Sequence, residues 1–280
     1  MIDYHIHTQH SIDATGSVTE YCNRALEIGL QEICFTNHCE MDPERNDSFI
    51  RFDGEREPFS RQSLMRLRKE IFEARDKYNK QGLTVRFGIE VGYYKGIEPQ
   101  LQEIIEGSEL DFVIGAVHCL EHICIDSSKE CKKYFDQYDP QQLVHNYFVT
   151  VEDLVKSRMF DSLAHIDVYK KYGRDHYGDG IYDVPHDIVD HVFSLIKENH
   201  IALEINTAGM RFMNEFYPAP HLMKMAHDKG LELITIGSDS HRPEDLGKDL
   251  TLALEYLKTN GFDAICTFDK RKPSSRKFRG

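Results

Sequence analysis

Two histidines, His5 and His7, stand two residues apart at the start of the chain. Ile2, Tyr4 and Ile6 alternate with polar residues around them, and this period of two predicts a β-strand. Side chains two residues apart on a strand point to the same face, so both imidazoles can reach one metal ion. Zinc, iron and similar metals readily bind neutral imidazole. Taken alone the pair is ambiguous, because two hydrogen-bonded histidines at a strand end would show the same spacing.

Further residues that can bind metal, namely His, Asp and Glu, lie at the ends of the strands predicted later in the chain. The predicted strands are residues 2–8, 32–36, 84–90, 111–117, 162–164, 202–206 and 233–237, with 264–267 as a further short strand. The ligand-type residues at or just beyond the strand ends are His5, His7, Asp13, His38, Glu90, His118, His165, Asp239 and His241. A single histidine at a strand end is usually a packing residue. The inference of a metal site therefore depends on the repeated occurrence of such residues at strand ends.

Predicted helices separate these strands, at residues 17–28, 60–81, 97–105, 141–157, 185–198, 219–229 and 245–259. Strand and helix alternate without a linker, which predicts an α/β fold with a parallel sheet, and seven or eight such units favour a closed (β/α) barrel. The active site of such a barrel lies at the C-terminal ends of the strands, where the ligand-type residues fall. We predict one domain over residues 1–280, with residues 270–280 as a loose basic tail.

Two polar segments, 40–57 and 170–183, are predicted to be loops, and Arg211 is placed in a third loop after the strand at 202–206. The first segment is as compatible with a lid over the site as with an idle surface loop.

Composition excludes several classes of partner. The net charge is −13 over 280 residues, so no overall field attracts nucleic acid or an anionic membrane. Seven cysteines without a CxxC pair predict free thiols in a reducing compartment. The N-terminus does not resemble a signal peptide, and no apolar run is long enough to span a bilayer. We therefore expect a cytoplasmic protein that binds neither nucleic acid nor a membrane.

The number of ligand-type residues indicates more than one metal ion. Nine ligands exceed what a single tetrahedral or octahedral ion needs. Two or three ions that share a bridging carboxylate would use them all. Glu90 is the natural bridge, because a carboxylate can offer one oxygen to each of two ions.

These motifs resemble the polymerase-and-histidinol-phosphatase superfamily over essentially the whole chain. The resemblance rests on His5-Ile6-His7, Asn37-His38, the strand ending on Glu90, Ala116-Val117-His118, Ala164-His165 and Gly237-Ser238-Asp239-Ser240-His241. Three further stretches, residues 164–173, 204–211 and 217–218, are similar to the histidinol-phosphatase branch of that family.

The resemblance implies a distorted (β/α)7 TIM-like barrel that holds a trinuclear centre of divalent transition metals: zinc, iron or manganese. One ion would be held by His5, His7, Glu90 and Asp239. A second would be held by Glu90, His118 and His165. The third would be held by Asp13, His38 and His241, and Asp13 occupies a position that varies among Asp, Glu and His in the family.

The implied reaction is hydrolysis of the phosphomonoester L-histidinol phosphate in histidine biosynthesis. The metals would neutralise the phosphate oxygens and lower the pKa of a water, so that hydroxide forms near neutral pH and attacks phosphorus. Glu90 and Asp239 would then belong to the catalytic centre. The phosphate also needs a cation, which arginine supplies in a bidentate way. Arg211 is the first candidate and Arg174 the second, although either is also compatible with a solvated loop cation.

Other functions stay open at this point. The same metals would serve a nucleotide, a phosphotyrosine peptide or a DNA 3′ end, although the acidic balance of the chain counts against nucleic acid. A non-catalytic metal-binding module would be expected to lose ligands, and this chain has the full set. A metal-dependent C–N hydrolase would leave Asp13, His38 and His241 unexplained. The oligomeric state and the metals' identity do not follow from the sequence.

Overall fold

The computed structural model describes residues 1–278. Its strands, in chain order, are β1 (Ile2–Ile6), β2 (Glu32–Cys39), β3 (Phe49–Phe52), β4 (Glu55–Pro58), β5 (Thr84–Gly92), β6 (Phe112–Ala116), β7 (Cys119–Leu120), β8 (Ile123–Cys124), β9 (Ser162–Leu163), β10 (Ala202–Asn206), β11 (Ile234–Gly237), β12 (Ala264–Asp269) and β13 (Lys272–Lys277). Its α-helices are α1 (Val18–Glu27), α2 (Arg61–Tyr78), α3 (Glu98–Ile105), α4 (Cys131–Phe135), α5 (Pro140–Ser157), α6 (Lys170–Tyr177), α7 (His186–Glu198), α8 (Ala208–Met213), α9 (Pro220–Lys229) and α10 (Leu250–Thr259). Short 3₁₀ helices span Asn79–Gln81, Gly178–Tyr182 and Pro243–Asp245.

Seven parallel strands form the main sheet of residues 1–278, in the order β1, β2, β5, β6, β9, β10, β11. The last strand returns to the first, because Ile6 and Ser240 form a parallel bridge and the His7 N–H donates to the Ser240 carbonyl at 2.9 Å. The sheet is therefore a nearly closed barrel, and the predicted (β/α)7 TIM-like architecture is confirmed. All seven C-terminal strand ends meet at one rim, which brings together side chains that are far apart in sequence.

Local sequence signals explain where several of these elements begin and end. α1 starts at a capping box, in which Ser17 Oγ accepts from the Glu20 N–H at 3.2 Å and Glu20 Oε2 accepts from the Ser17 N–H at 2.7 Å. It stops before Gly29, whose φ of 76° suits a residue without a Cβ. No helix within residues 1–278 combines the length and apolar character needed to cross a membrane.

The three segments predicted to be loops contain regular structure, which corrects the sequence assignment. Residues 40–57 include most of a hairpin of β3 and β4, and the segment after β10 is α8, which carries Arg211. Residues 170–183 form α6 and a 3₁₀ turn. α6 escaped prediction because it lacks an apolar stripe: its buried residues are Gly173 and Lys170, and Lys170 is satisfied by Asp167 at 2.8 Å. The last helix begins at Leu250, not residue 245, because Gly247 turns the chain with a φ of 74°.

The C-terminal segment is also ordered by pairing. The strand predicted at 264–267 is confirmed as β12, and it pairs with β13 in an antiparallel hairpin. Arg276 of this hairpin donates to the buried Glu32 at 2.5 Å, and Arg271 donates to Asp161 at 3.0 Å. The prediction of a loose basic tail is therefore wrong for residues 270–278, because their cations pair with acids at the N-terminal end of the barrel. Residues 279–280 of that predicted tail lie outside the described residues.

Candidate metal centre

The structure brings all nine predicted ligand-type residues to the C-terminal rim of the barrel. Each of the six histidines has a ring nitrogen within 3.6 Å of a carboxylate oxygen of Glu90, Asp239 or Asp13. Most of these side chains are buried, whereas Asp13 is 55% exposed and therefore faces the opening. The convergence that the strand ends predicted is thus present.

Glu90, near the end of β5, stands at the centre of the group. Its side chain is 1% exposed, and its oxygens face different histidines. Oε1 lies 3.0 Å from His165 Nε2, whereas Oε2 lies 3.5 Å from His7 Nε2. The histidines with a nitrogen within 3.5 Å of either oxygen are His5, His7, His38, His118 and His165.

One subset has the spacing of ligands around a tetrahedral ion. His5 Nε2 lies 3.3 Å from Glu90 and 3.6 Å from Asp239, and His7 Nε2 lies 3.5 Å and 3.3 Å from the same two residues. Two ligands bound at about 2.1 Å and spread tetrahedrally lie about 3.4 Å apart. His5, His7 and Glu90 thus offer ligand atoms that all lie within 4.8 Å of one another, and Asp239 adjoins both histidines.

The other predicted ligands also lie close together, and Glu90, His118 and His165 form one group whose ligand atoms lie within 4.8 Å of one another. His118 and His165 approach Glu90 Oε1 at 3.3 and 3.0 Å. Asp13 lies 3.6 Å from His38 Nε2 and 3.4 Å from His241 Nε2.

Ring nitrogens can also be grouped differently at this rim. His38 and His118 share a possible metal position with Glu40, which sequence analysis did not single out. The rim therefore offers several overlapping groups of three ligand atoms to metal ions.

Several donor atoms at this rim are buried without a hydrogen-bond partner among residues 1–278. They include the Nε2 atoms of His5 and His7, Nδ1 of His38 and Oε2 of Glu90. The last two atoms are only 2.8 Å apart, but they are not aligned to form a hydrogen bond, as is usual for two ligands that face a common ion. Buried polar atoms are costly when unsatisfied, so this donor set fits a bound cation.

Charge at the rim follows the same logic. Burial alone would lower the pKa of His5, but nearby carboxylates, Glu204 foremost, raise it well above its ordinary value. Burial alone would raise the pKa of Glu90, but nearby imidazoles, His5 foremost, hold it well below its ordinary value. His7 differs, because burial and then neighbouring cationic imidazoles lower its pKa to about 3. The carboxylates thus stay ionised and favour positive charge in their midst.

A second layer of side chains holds the ligands in place. Glu204 Oε1 accepts from His5 Nδ1 at 2.7 Å, while its Oε2 accepts from the His165 N–H at 3.0 Å and from Asn206 Nδ2 at 3.0 Å. Glu40 Oε1 lies 2.9 Å from His118 Nδ1. Carboxylates behind metal-ligating histidines fix the ring orientation and leave the other nitrogen free for the ion.

The backbone is strained where two ligands leave the barrel. Asp239 has a φ of 50° and His165 a φ of 20°, values that residues with a Cβ rarely adopt. Gly237 comes just before the first of these turns, and a Cβ there would clash with His5 and Glu204. Local backbone strain and a glycine that cannot be replaced without a clash therefore occur where the chain turns the ligands toward the cavity.

Comparison with known proteins identifies this arrangement. The family model described as the PHP domain matches residues 3–208, which is more than half of the chain. The chain belongs to the PHP domain family. The match confirms the family that the sequence motifs resemble, and it covers seven of the nine rim residues, since Asp239 and His241 lie beyond residue 208.

Relatives of this PHP protein match nearly its full length. A protein of Deinococcus radiodurans described as a probable histidinol-phosphatase is 31% identical over 97% of this chain and 98% of its own. The histidinol-phosphatase of Bacillus subtilis is 28% identical over 88% of this chain and 95% of its own. In fold, the chain is similar to the crystal structure of histidinol phosphate phosphatase from Lactococcus lactis complexed with Zn, L-histidinol and phosphate, with a TM-score of 0.76, 21% identity and 98% of each chain covered.

The two predicted phosphate ligands lie differently in this PHP barrel. Arg211 Nη2 donates to the carbonyls of Ser238 and Asp239 at 2.8 and 2.9 Å, so the guanidinium ties down the turn that carries a ligand. Its Nη1 is buried without a partner in the described chain. Arg174 is exposed on α6, with one 3.5 Å contact to the Met213 carbonyl. Neither arginine lines the cavity around the ligands, but Arg211 contacts the backbone of the ligand Asp239 and Arg174 contacts no ligand.

Sequence reasoning missed four charged residues of this site. Lys171 and Asp126 line the cavity, and Glu40 and Glu204 support its histidines. Glu204 and Asn206 alternate on β10 as His5 and His7 do on β1, so the period-two rule would have found Glu204. The sequence predicts a loop where Lys171 lies on α6, so it gives no face of a helix on which to place this residue.

Proposed function

We propose that this PHP protein is a metal-dependent phosphomonoesterase that hydrolyses L-histidinol phosphate to L-histidinol and phosphate. The observation that carries the proposal is the complete set of nine ligand-type residues around Glu90 at one barrel rim. The near full-length similarity to proteins named histidinol-phosphatase supports the choice of substrate. Residues 1–280 would act as a single catalytic domain, and we expect it in the cytoplasm.

The proposed cofactors are two to three divalent transition metals: zinc, iron or manganese. His5, His7, Glu90 and Asp239 would hold one ion, and Glu90, His118 and His165 a second. Asp13, His38 and His241 would hold the third. When bound, such ions neutralise phosphate oxygens and lower the pKa of water to near neutrality.

The chain's own residues prepare the site for a phosphate dianion. Glu204 and Glu40 orient the rings of His5 and His118, so that no ligand has to rearrange during the reaction. The phosphate charge needs cations beyond the metals. We assign this role to Arg211 through its free Nη1 and to Lys171, which lines the cavity and pairs with no carboxylate in residues 1–278.

Steady-state kinetics on a panel of phosphomonoesters, after metal reconstitution, tests the proposal. We expect the highest kcat/KM for L-histidinol phosphate among that compound, a nucleoside monophosphate, a phosphotyrosine peptide and a 3′-phosphorylated DNA. Glu90→Gln should abolish most of this activity. Glu103→Gln, the same substitution at an exposed position on α3, should leave the activity unchanged.

Two results would contradict the proposal. A higher kcat/KM for any other member of the panel would assign the same metal centre to a different substrate. Metal-loaded protein that hydrolyses none of them would identify the chain as a metal-binding module without this activity.

A further inference from the structure

Two charged side chains line the ligand cavity without an ion pair of their own in residues 1–278. They are Asp126, which follows β8, and Lys171 on α6. Every other acid that lines this cavity, namely Asp13, Glu90 and Asp239, has a histidine nitrogen within 3.4 Å. Asp126 has no Lys, Arg or His nitrogen within 4.0 Å among those residues, so it is the one lining carboxylate that the described chain leaves without a cationic partner.

The position of Asp126 is fixed relative to the metal ligands. β7 and β8 form a tight hairpin in which Cys119 pairs with Cys124, and the Ile125 N–H donates to the His118 carbonyl at 2.9 Å. Asp126 is the next residue, and its Oδ1 accepts a weak hydrogen bond from Cys124 Sγ at 3.2 Å. Burial lowers the pKa of His118, while Glu90 and then Asp126 raise it, so this carboxylate acts electrostatically at the rim.

An unpaired carboxylate is unexpected beside a phosphate site. It repels a phosphate dianion, and in a partly enclosed cavity this repulsion is weakly screened. A substrate that brings its own positive charge to that side of the cavity offsets this cost. L-Histidinol phosphate does so, because it carries a primary amine that is protonated at neutral pH.

We propose that Asp126 recognises the ammonium group of the substrate and so selects amino phosphomonoesters over phosphomonoesters without a cation. This inference rests on the proposed function. The same carboxylate attracts the correct substrate and disfavours phosphomonoesters that lack a cation, which is how repulsive elements contribute to specificity.

Asp126→Asn tests the inference with a matched pair of substrates. They are L-histidinol phosphate and 3-(imidazol-4-yl)propyl phosphate, which lacks only the amino group. The variant should lose about tenfold to a hundredfold in kcat/KM for the first substrate, because a hydrogen bond to a charged group is removed. For the second substrate kcat/KM should stay level or rise, because the repulsion of the phosphate is removed.

Controls separate recognition from folding and metal binding. Asp136→Asn makes the same substitution at an exposed position ten residues away and should behave as wild type with both substrates. Asp126→Glu should recover part of the preference for the amino substrate. Metal content and the thermal unfolding midpoint are measured for every variant.

The possible outcomes distinguish this inference from the proposed function. Equal losses on both substrates, no loss on either, or a loss that follows metal content would overturn the role of Asp126. A wild-type enzyme that turns over L-histidinol phosphate no faster than the analogue would also overturn it, while leaving the hydrolytic function intact. Wild-type protein inactive on L-histidinol phosphate would contradict the proposed function itself.

Discussion

Charged side chains are buried at both ends of the barrel, but their partners differ between the two ends. At the N-terminal end Glu32 accepts hydrogen bonds from Tyr4 at 2.6 Å, Arg86 at 2.9 Å and Arg276 at 2.5 Å. Asp161 there accepts from Arg271 and from the Val113 N–H. Each of these buried acids is therefore matched by a cation within the described chain.

At the C-terminal end the acids are matched by histidines, and donor atoms are left over. His5 Nε2, His7 Nε2 and Glu90 Oε2 are buried without hydrogen-bond partners in residues 1–278. The contrast teaches that buried charge alone does not mark a functional site, whereas a cluster of unsatisfied donor atoms at one rim does.

Glu90→Gln should give the largest effect, because it removes charge from the residue shared by two proposed ions. We expect kcat/KM to fall by about a hundredfold to a thousandfold or more, with loss of bound metal. Kinetics and elemental analysis of the same preparation measure both quantities. Full activity with full metal content would remove Glu90 from the bridge position.

Glu32→Gln should affect the opposite end of the barrel and only stability. The substitution removes the buried charge that Arg86 and Arg276 share. It should cost about 2–3 kcal/mol, less than the loss of a fully buried pair, because Arg86 keeps Asp269 at 2.8 Å and Arg276 is partly exposed. The unfolding midpoint should fall by roughly 5–10 °C, while kcat/KM of the folded enzyme stays unchanged. Glu55→Gln, at an exposed position, is the control. A loss of activity without a loss of stability would contradict the proposal that the N-terminal end of the barrel affects only stability.

Arg211→Ala tests whether a cation of the rim serves the substrate. With metals saturating, we expect kcat/KM to fall about tenfold to several-hundredfold, since roughly 1.5–3 kcal/mol of charge-assisted hydrogen bonding is lost. Arg211→Lys should recover only part of the lost kcat/KM, because lysine restores the charge without the planar, bidentate guanidinium. Arg174→Ala, one helix away and outside the cavity, should have no effect. If all three variants matched wild type, Arg211 would have no role in catalysis.

Glu204→Gln should give a smaller effect, because this residue acts through His5. The change weakens the hydrogen bond that orients the ring, and we expect about a tenfold to hundredfold loss of metal affinity. Activity should return when excess metal is added. Glu232→Gln, exposed beside β11, should titrate as wild type. Metal titration followed by activity provides the comparison, and identical midpoints for all three proteins would show that Glu204 does not support the site.

The C-terminal end was more predictable from sequence than the N-terminal end. Period-two spacing and strand ends predict His5, His7 and Glu90 at one rim, because the parallel barrel brings all strand ends together. The pairing of Glu32 with Arg276 spans 244 residues and follows no local period. The sequence therefore predicts a loose tail from residue 270 where the structure has β13, although it predicts the preceding strand β12. Arg211 was placed near the rim, but its contact with the Asp239 turn depends on a positive φ that no local pattern indicates.

The central claim is that the unsatisfied rim atoms belong to a multinuclear metal centre. Elemental analysis of protein purified without any chelator tests this claim most directly. The variants Glu90→Gln and Glu103→Gln are prepared in parallel. We expect two to three transition-metal ions per chain in wild type and Glu103→Gln, and fewer in Glu90→Gln. One ion per chain or none in the wild-type protein would contradict the account.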